Sequence, residues 1–79
     1  MRILLFAQLR NVVGKAELEM ELHGRLDLDQ FWEDLIDMYP ALTAQRDQVR
    51  LAVNGEFAGP HSFFLDTDEV ALIPPVSGG

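Results

Sequence analysis

Charged and apolar residues alternate without a break from Glu17 to Leu22 (Glu-Leu-Glu-Met-Glu-Leu). A period of two marks a β-strand with one face in water, so Leu18, Met20 and Leu22 are predicted to face a core. Ahead of it, residues 2–9 form a Leu/Ile/Phe-rich run that predicts a strand covered on both faces. Asn11 to Lys15, containing Gly14, reads as the hairpin loop between the two. His23-Gly24-Arg25 turns the chain, and the period then changes. Leu28, Phe31, Trp32, Leu35, Ile36 and Tyr39 recur at helical spacing, with Asp29, Glu33, Asp34 and Asp37 on the opposite face. Asp27 stands at the N-cap, three residues before Gln30 in capping-box spacing, and Pro40 ends the helix. Trp32 and Tyr39 lie on the apolar stripe and read as core.

A polar connection from Thr43 to Gln48 leads to a strand at Val49–Val53. Asn54-Gly55 is the strongest short hairpin signal available, and Glu56 to Ala58 makes a short return strand broken by Gly59-Pro60. Phe63-Phe64-Leu65 is expected to plug the core, Asp66-Thr67-Asp68 to turn, and Glu69–Ile73 to form the last strand. Two strands, a helix and two or three further strands build a mixed sheet with the helix on one face. The right-handed crossover rule sets a strand after the helix parallel to an earlier one. The order and length fit an α+β protein of the β-grasp, or ubiquitin-like, type: residues 1–73 form the roll, and residues 74–79 a flexible C-terminal Gly-Gly tail.

Composition narrows the function. Seventy-nine residues make one small domain with no room for a core and a deep catalytic cleft together. A net charge of −7 excludes nucleic acid as a partner and suits anionic membranes poorly. It favours a basic partner protein, or simply solubility. Absence of cysteine points to a reducing, cytoplasmic setting. The apolar run after Met1 is too short for a signal peptide or a membrane span.

The body of the roll offers little chemistry. His23 and His61 are isolated and lack ligand spacing, so no metal site is expected. No glycine-rich phosphate loop is present. The chain instead ends in Pro74-Pro75-Val76-Ser77-Gly78-Gly79. The prolines favour an extended stem, and the glycines lack Cβ atoms and can approach a catalytic surface closely. The alternative is an inert, frayed end. The four residues beyond Pro75 add at most about 13–14 Å of reach. The Gly79 carboxylate is ionised at neutral pH and a poor electrophile until activated, for example by adenylation. An amine would then give a protein conjugate and a sulfur donor a thiocarboxylate.

Leu5-Phe6-Ala7-Gln8-Leu9-Arg10, Ala52-Val53-Asn54-Gly55, Asp68-Glu69-Val70-Ala71 and the Pro74–Gly79 ending together closely resemble the small subunit of molybdopterin synthase, the MoaD family. The ending is the specific part. Thr67 departs from the glycine common there, which implies a different local turn. The resemblance implies that an E1-like adenylyltransferase uses ATP to adenylate Gly79, and that a sulfur donor then converts it to a thiocarboxylate. It further implies that the stem (Pro74, Pro75, Val76, Ser77, Gly78) inserts into a large catalytic subunit, in a complex of two small and two large subunits. There the sulfur would pass to cyclic pyranopterin monophosphate to form the molybdopterin dithiolene. No bound cofactor is implied for the small subunit, whose role is to donate sulfur. Without cysteine, sulfur has no persulfide site on the chain. Phe6, Val76 and the sheet face left bare by the helix are candidate contacts with the large subunit. A sulfur carrier for thiazole or cysteine synthesis and a ubiquitin-like protein modifier remain the alternatives.

Overall fold

A computed structural model describes residues 1–75. Val76, Ser77, Gly78 and Gly79 lie outside the described residues. Strand β1 (Arg2–Leu5) pairs antiparallel with β2 (Glu17–Glu19), placing Ile3 opposite Leu18. On its other side β1 runs parallel to β7 (Glu69–Ile73), Leu5 opposite Leu72. Strand β4 (Arg50–Val53) pairs antiparallel with β7 and forms a hairpin with β5 (Glu56–Phe57). The five-stranded order is β2-β1-β7-β4-β5, the mixed sheet that the element order predicts.

Helix α2 (Leu28–Met38) covers one face of this sheet, and its N-terminus follows the expected chemistry. The Gln30 N–H donates to Asp27 Oδ1 at 2.8 Å, satisfying one of the helix's open donors. Phe31, Trp32 and Leu35 are buried, and the acidic positions turn outward. They meet Ile3, Leu5, Leu18, Met20, Leu51, Val70 and Leu72 from the sheet. Tyr39, on the same stripe, is only partly buried. Phe31 stacks on Phe64 with ring centroids 4.7 Å apart, a well-packed aromatic pair at the centre of the core.

Four expectations are corrected. Residues 2–9 are not one strand: β1 stops at Leu5, and Ala7–Val13 forms helix α1 where a strand end and a loop were expected. The break sits at Ala7, whose φ of 49° is left-handed and ends the extended run. Leu9 is then buried and Gly14, at φ 85°, caps the helix with its N–H on Arg10 O at 2.7 Å. Nor is β1 covered on both faces, since Arg2 is exposed and Leu4 half-buried. Of the three expected core plugs only Phe64 is buried. Phe63 (52 % exposed) and Leu65 (50 %) point out, because β6 (Phe63–Phe64) alternates sides while pairing with β3 (Leu26–Asp27). The connection after Pro40 is a 3₁₀ stretch, Pro40–Gln48, that buries Leu42 completely.

The Asn54-Gly55 turn has φ of 52° and 87°, the left-handed pair that a two-residue hairpin requires. Asn54 also reaches out of the turn. Its Nδ2 donates to Asp68 Oδ1 at 3.0 Å, and its Oδ1 accepts the Glu69 N–H at 3.0 Å. Asp68 in turn accepts the Leu65 N–H at 2.8 Å, closing the turn through Thr67, which has no positive φ. The Ala52–Gly55 and Asp68–Ala71 segments are thus one structural clamp.

Candidate functional site

Strand β7 carries the chain out of the core. Val70 and Leu72 are buried on the helix side, while Ala71 and Ile73 face the side without a helix. Because β7 is parallel to β1, the end of the sheet that releases Pro74 is the end where β1 runs into Phe6. Phe6 is 48 % exposed there. Its carbonyl accepts the Leu9 N–H at 3.0 Å, so the left-handed Ala7 turn fixes where the ring projects. The structure therefore places Phe6 and Pro74 at one end of the sheet. Val76 and the rest of the tail lie outside the described residues.

The sheet face away from α2 extends this region. Leu4, Ala71, Ala52 and Phe57 follow one another across β1, β7, β4 and β5 in register, with Ile73 beside Arg50. Phe57 is 58 % exposed, and the Arg50 guanidinium lies 4.1 Å from its ring centre. This apolar strip, half-buried at Leu4 and Ala71, buried at Ala52 and exposed at Phe57, is a candidate surface for a partner.

A groove of about 420 Å³ between α2, the 3₁₀ stretch and β4 is lined by Trp32, Arg46, Asp47, Arg50 and five others, with no histidine, serine or lysine among them. The Arg46–Asp29 ion pair (3.0 Å) involves two of its lining residues. Among the described residues no group of three or more His, Asp or Glu could hold a metal ion. His61 borders a shallow groove with Phe63 and Asp29. Two residues that sequence reasoning passed over, Arg10 and Lys15, stand exposed near the exit of the tail. The available signal was the lack of any acid before Glu17.

A mixed five-stranded sheet wrapped on one main helix, with the chain leaving from the end of its central strand, defines a protein of the ubiquitin-like β-grasp class. Residues 3–79 match the ThiS family, and the chain belongs to that family. It is 32 % identical over 78 residues to the molybdopterin synthase sulfur carrier subunit of Arabidopsis thaliana, covering 99 % of this chain and 81 % of the relative. It is 35 % identical over 80 residues to the corresponding subunit of Caenorhabditis briggsae, covering 99 % and 95 %. The crystal structure of SAMP1 from Haloferax volcanii superimposes with a TM-score of 0.85 at 31 % identity, covering 100 % of this chain and 98 % of that one.

Proposed function

We propose that this chain is the sulfur-carrier subunit of a molybdopterin synthase and that Gly79 is where the sulfur rides. The observation that carries the reading is the whole-length similarity to curated sulfur carrier subunits, together with a family match that runs through Gly79. The roll is the handle and residues 74–79 the working part. In the first step a Gly79 carboxylate oxygen attacks the α-phosphorus of ATP on an E1-like enzyme, and pyrophosphate leaves. A persulfide of a donor protein then displaces AMP from the acyl carbon to give an acyl disulfide, and a thiol of the sulfur-donating machinery cleaves its S–S bond, forming a disulfide there and releasing the thiocarboxylate. The loaded tail enters the large subunit, its sulfur forms a C–S bond on the pyranopterin side chain as a C–O bond there breaks and the oxygen group leaves, and water cleaves the resulting thioester to return the carboxylate; a second loaded chain supplies the other dithiolene sulfur. Base and substrate-binding groups belong to the large subunit.

Phe6 and the apolar strip from Leu4 to Phe57 form the lasting interface with that subunit, in a complex of two small and two large chains. The setting is cytoplasmic; no helix among the described residues is long and apolar enough to cross a membrane. Reconstitution tests the pathway: thiocarboxylated chain mixed with a molybdopterin synthase large subunit and cyclic pyranopterin monophosphate is expected to yield the dithiolene. Sulfur transfer to a thiazole precursor instead would contradict it.

The likeness to a protein named as an archaeal modifier supports a second reading, in which activated Gly79 is taken by a lysine amine. Cell extracts would then hold higher-mass conjugates that vanish on deletion of Gly79.

A further inference from the structure

The net charge of −7 is spread unevenly. No aspartate or glutamate occurs in residues 1–16 or 70–79, and these two segments supply much of the end of the sheet from which the tail leaves. Arg10 lies on α1, directly after β1, and is exposed. Lys15 precedes Ala16, whose carbonyl accepts the Leu5 N–H at 2.9 Å, so Lys15 sits at the same end, two strands from β7. At ordinary strand spacing that is about 10 Å from the stem. The first acid in the chain, Glu17, is occupied by Arg2, which also holds Glu69 at 3.2 Å. Arg46 is paired with Asp29, and Arg25 and Arg50 lie over Phe63 and Phe57. Among the described residues Arg10 and Lys15 have neither an acidic partner nor an aromatic ring. The opposite end of the sheet carries Glu19, Asp66, Asp68 and Glu69.

We propose that Arg10 and Lys15 form a cationic lip that docks on an acidic rim around the channel of the enzyme that activates Gly79. This inference rests on the sulfur-carrier reading. With only about 13–14 Å of reach beyond Pro75, any surface that receives Gly79 in a channel must lie against this end of the roll. Like charges there would be repelled, and a neutral rim would leave the lip without a partner. The activating enzyme must bind and release the carrier in every cycle. Charge pairs at an exposed rim serve such short encounters, because they raise the association rate and orientation more than the lifetime. The acidic remainder of the molecule then sharpens the docking, since an acidic rim repels every other approach.

The test measures ATP-dependent pyrophosphate release by the activating enzyme against carrier concentration, at several salt concentrations. Arg10→Ala/Lys15→Ala is compared with Arg25→Glu, which changes net charge equally at a site over Phe63. The double variant is expected to raise KM about tenfold at low salt, leave kcat unchanged and flatten the salt dependence. Arg25→Glu is expected to behave as wild type. Equal KM for wild type and the double variant, or an equal rise with Arg25→Glu, overturns the lip while leaving the carrier reading intact. No pyrophosphate release with wild-type carrier overturns both. Because both side chains are exposed and unpaired among the described residues, the double variant is expected to melt with the wild type, which thermal unfolding checks.

Discussion

The two ends of the β1–β7 pair have diverged in what they do. At the end where both strands start, polar groups are consumed by structure. Asn54 and Asp68 lock two turns together, and the Met1 ammonium donates to Met20 O at 2.7 Å and pairs with Asp66 at 3.2 Å. At the end where both strands finish, Phe6, Arg10 and Lys15 are exposed, and the chain leaves through Pro74. On the sulfur-carrier reading, the contrast teaches that in so small a roll the structural and functional surfaces separate along the strands, because a core this size leaves no interior for a site.

The largest expected loss comes from the core that joins the two ends. Phe64→Ala removes the ring stacked on Phe31 and should lower unfolding free energy by about 3–5 kcal/mol, read by chemical denaturation. The fraction that stays folded should still accept sulfur; loss of loading out of proportion to unfolding would break the separation of scaffold from tail. Next is Asn54→Ala at the locked end, which deletes two side-chain hydrogen bonds and leaves a left-handed alanine. A loss of about 2 kcal/mol is expected, with KM for the activating enzyme unchanged. A raised KM would mean that this end also takes part in recognition.

Ala7→Gly probes the open end from the other direction. Relief of the left-handed φ should raise stability by up to about 1 kcal/mol, while the freed Phe6 turn weakens binding of the large subunit. Greater stability with unaltered binding would show that the strained turn does not position Phe6. The smallest effect concerns Asp66. The Leu22 N–H, and then the Met1 ammonium, hold its carboxyl below the ordinary carboxylate value. A lowered folded value means that its stabilisation is complete above the ordinary carboxylate pKa and fades as pH falls toward the lowered one. Melting curves of wild type and Asp66→Asn should therefore differ slightly at neutral pH and converge in acid; a gap constant with pH would contradict the assignment.

Much of this was readable because local signals agreed with the fold. The Asp27 cap, the helical stripe from Leu28, the Asn54-Gly55 turn and the run from Glu69 to Ile73 each carried their own pattern, and each formed. What was not legible depended on partners distant in sequence or on a single dihedral angle. Helix α1 hides behind apolar residues that suit a strand, and only the φ of Ala7 divides them. The β3–β6 pair joins two residues to two others across thirty-odd positions of chain, too short for any period to register. Phe63 and Leu65 were misread because three consecutive apolar residues conceal an alternation. For the candidate site, the motif around Phe6 singled it out, and the structure adds its exposure at the end of the sheet that releases Pro74. Arg10 and Lys15 were not legible, because a net charge carries no position until the strand register assigns one.

The claim that the tail is the working part is tested most directly by intact-mass measurement after incubation with an activating enzyme, ATP and a sulfur donor. The account predicts that the wild-type chain gains one oxygen-for-sulfur exchange, mapped to Gly79. A variant lacking Gly78 and Gly79 should gain nothing yet melt as the wild type does. An unchanged wild-type mass under conditions that load a known carrier, or sulfur found anywhere other than Gly79, would contradict it.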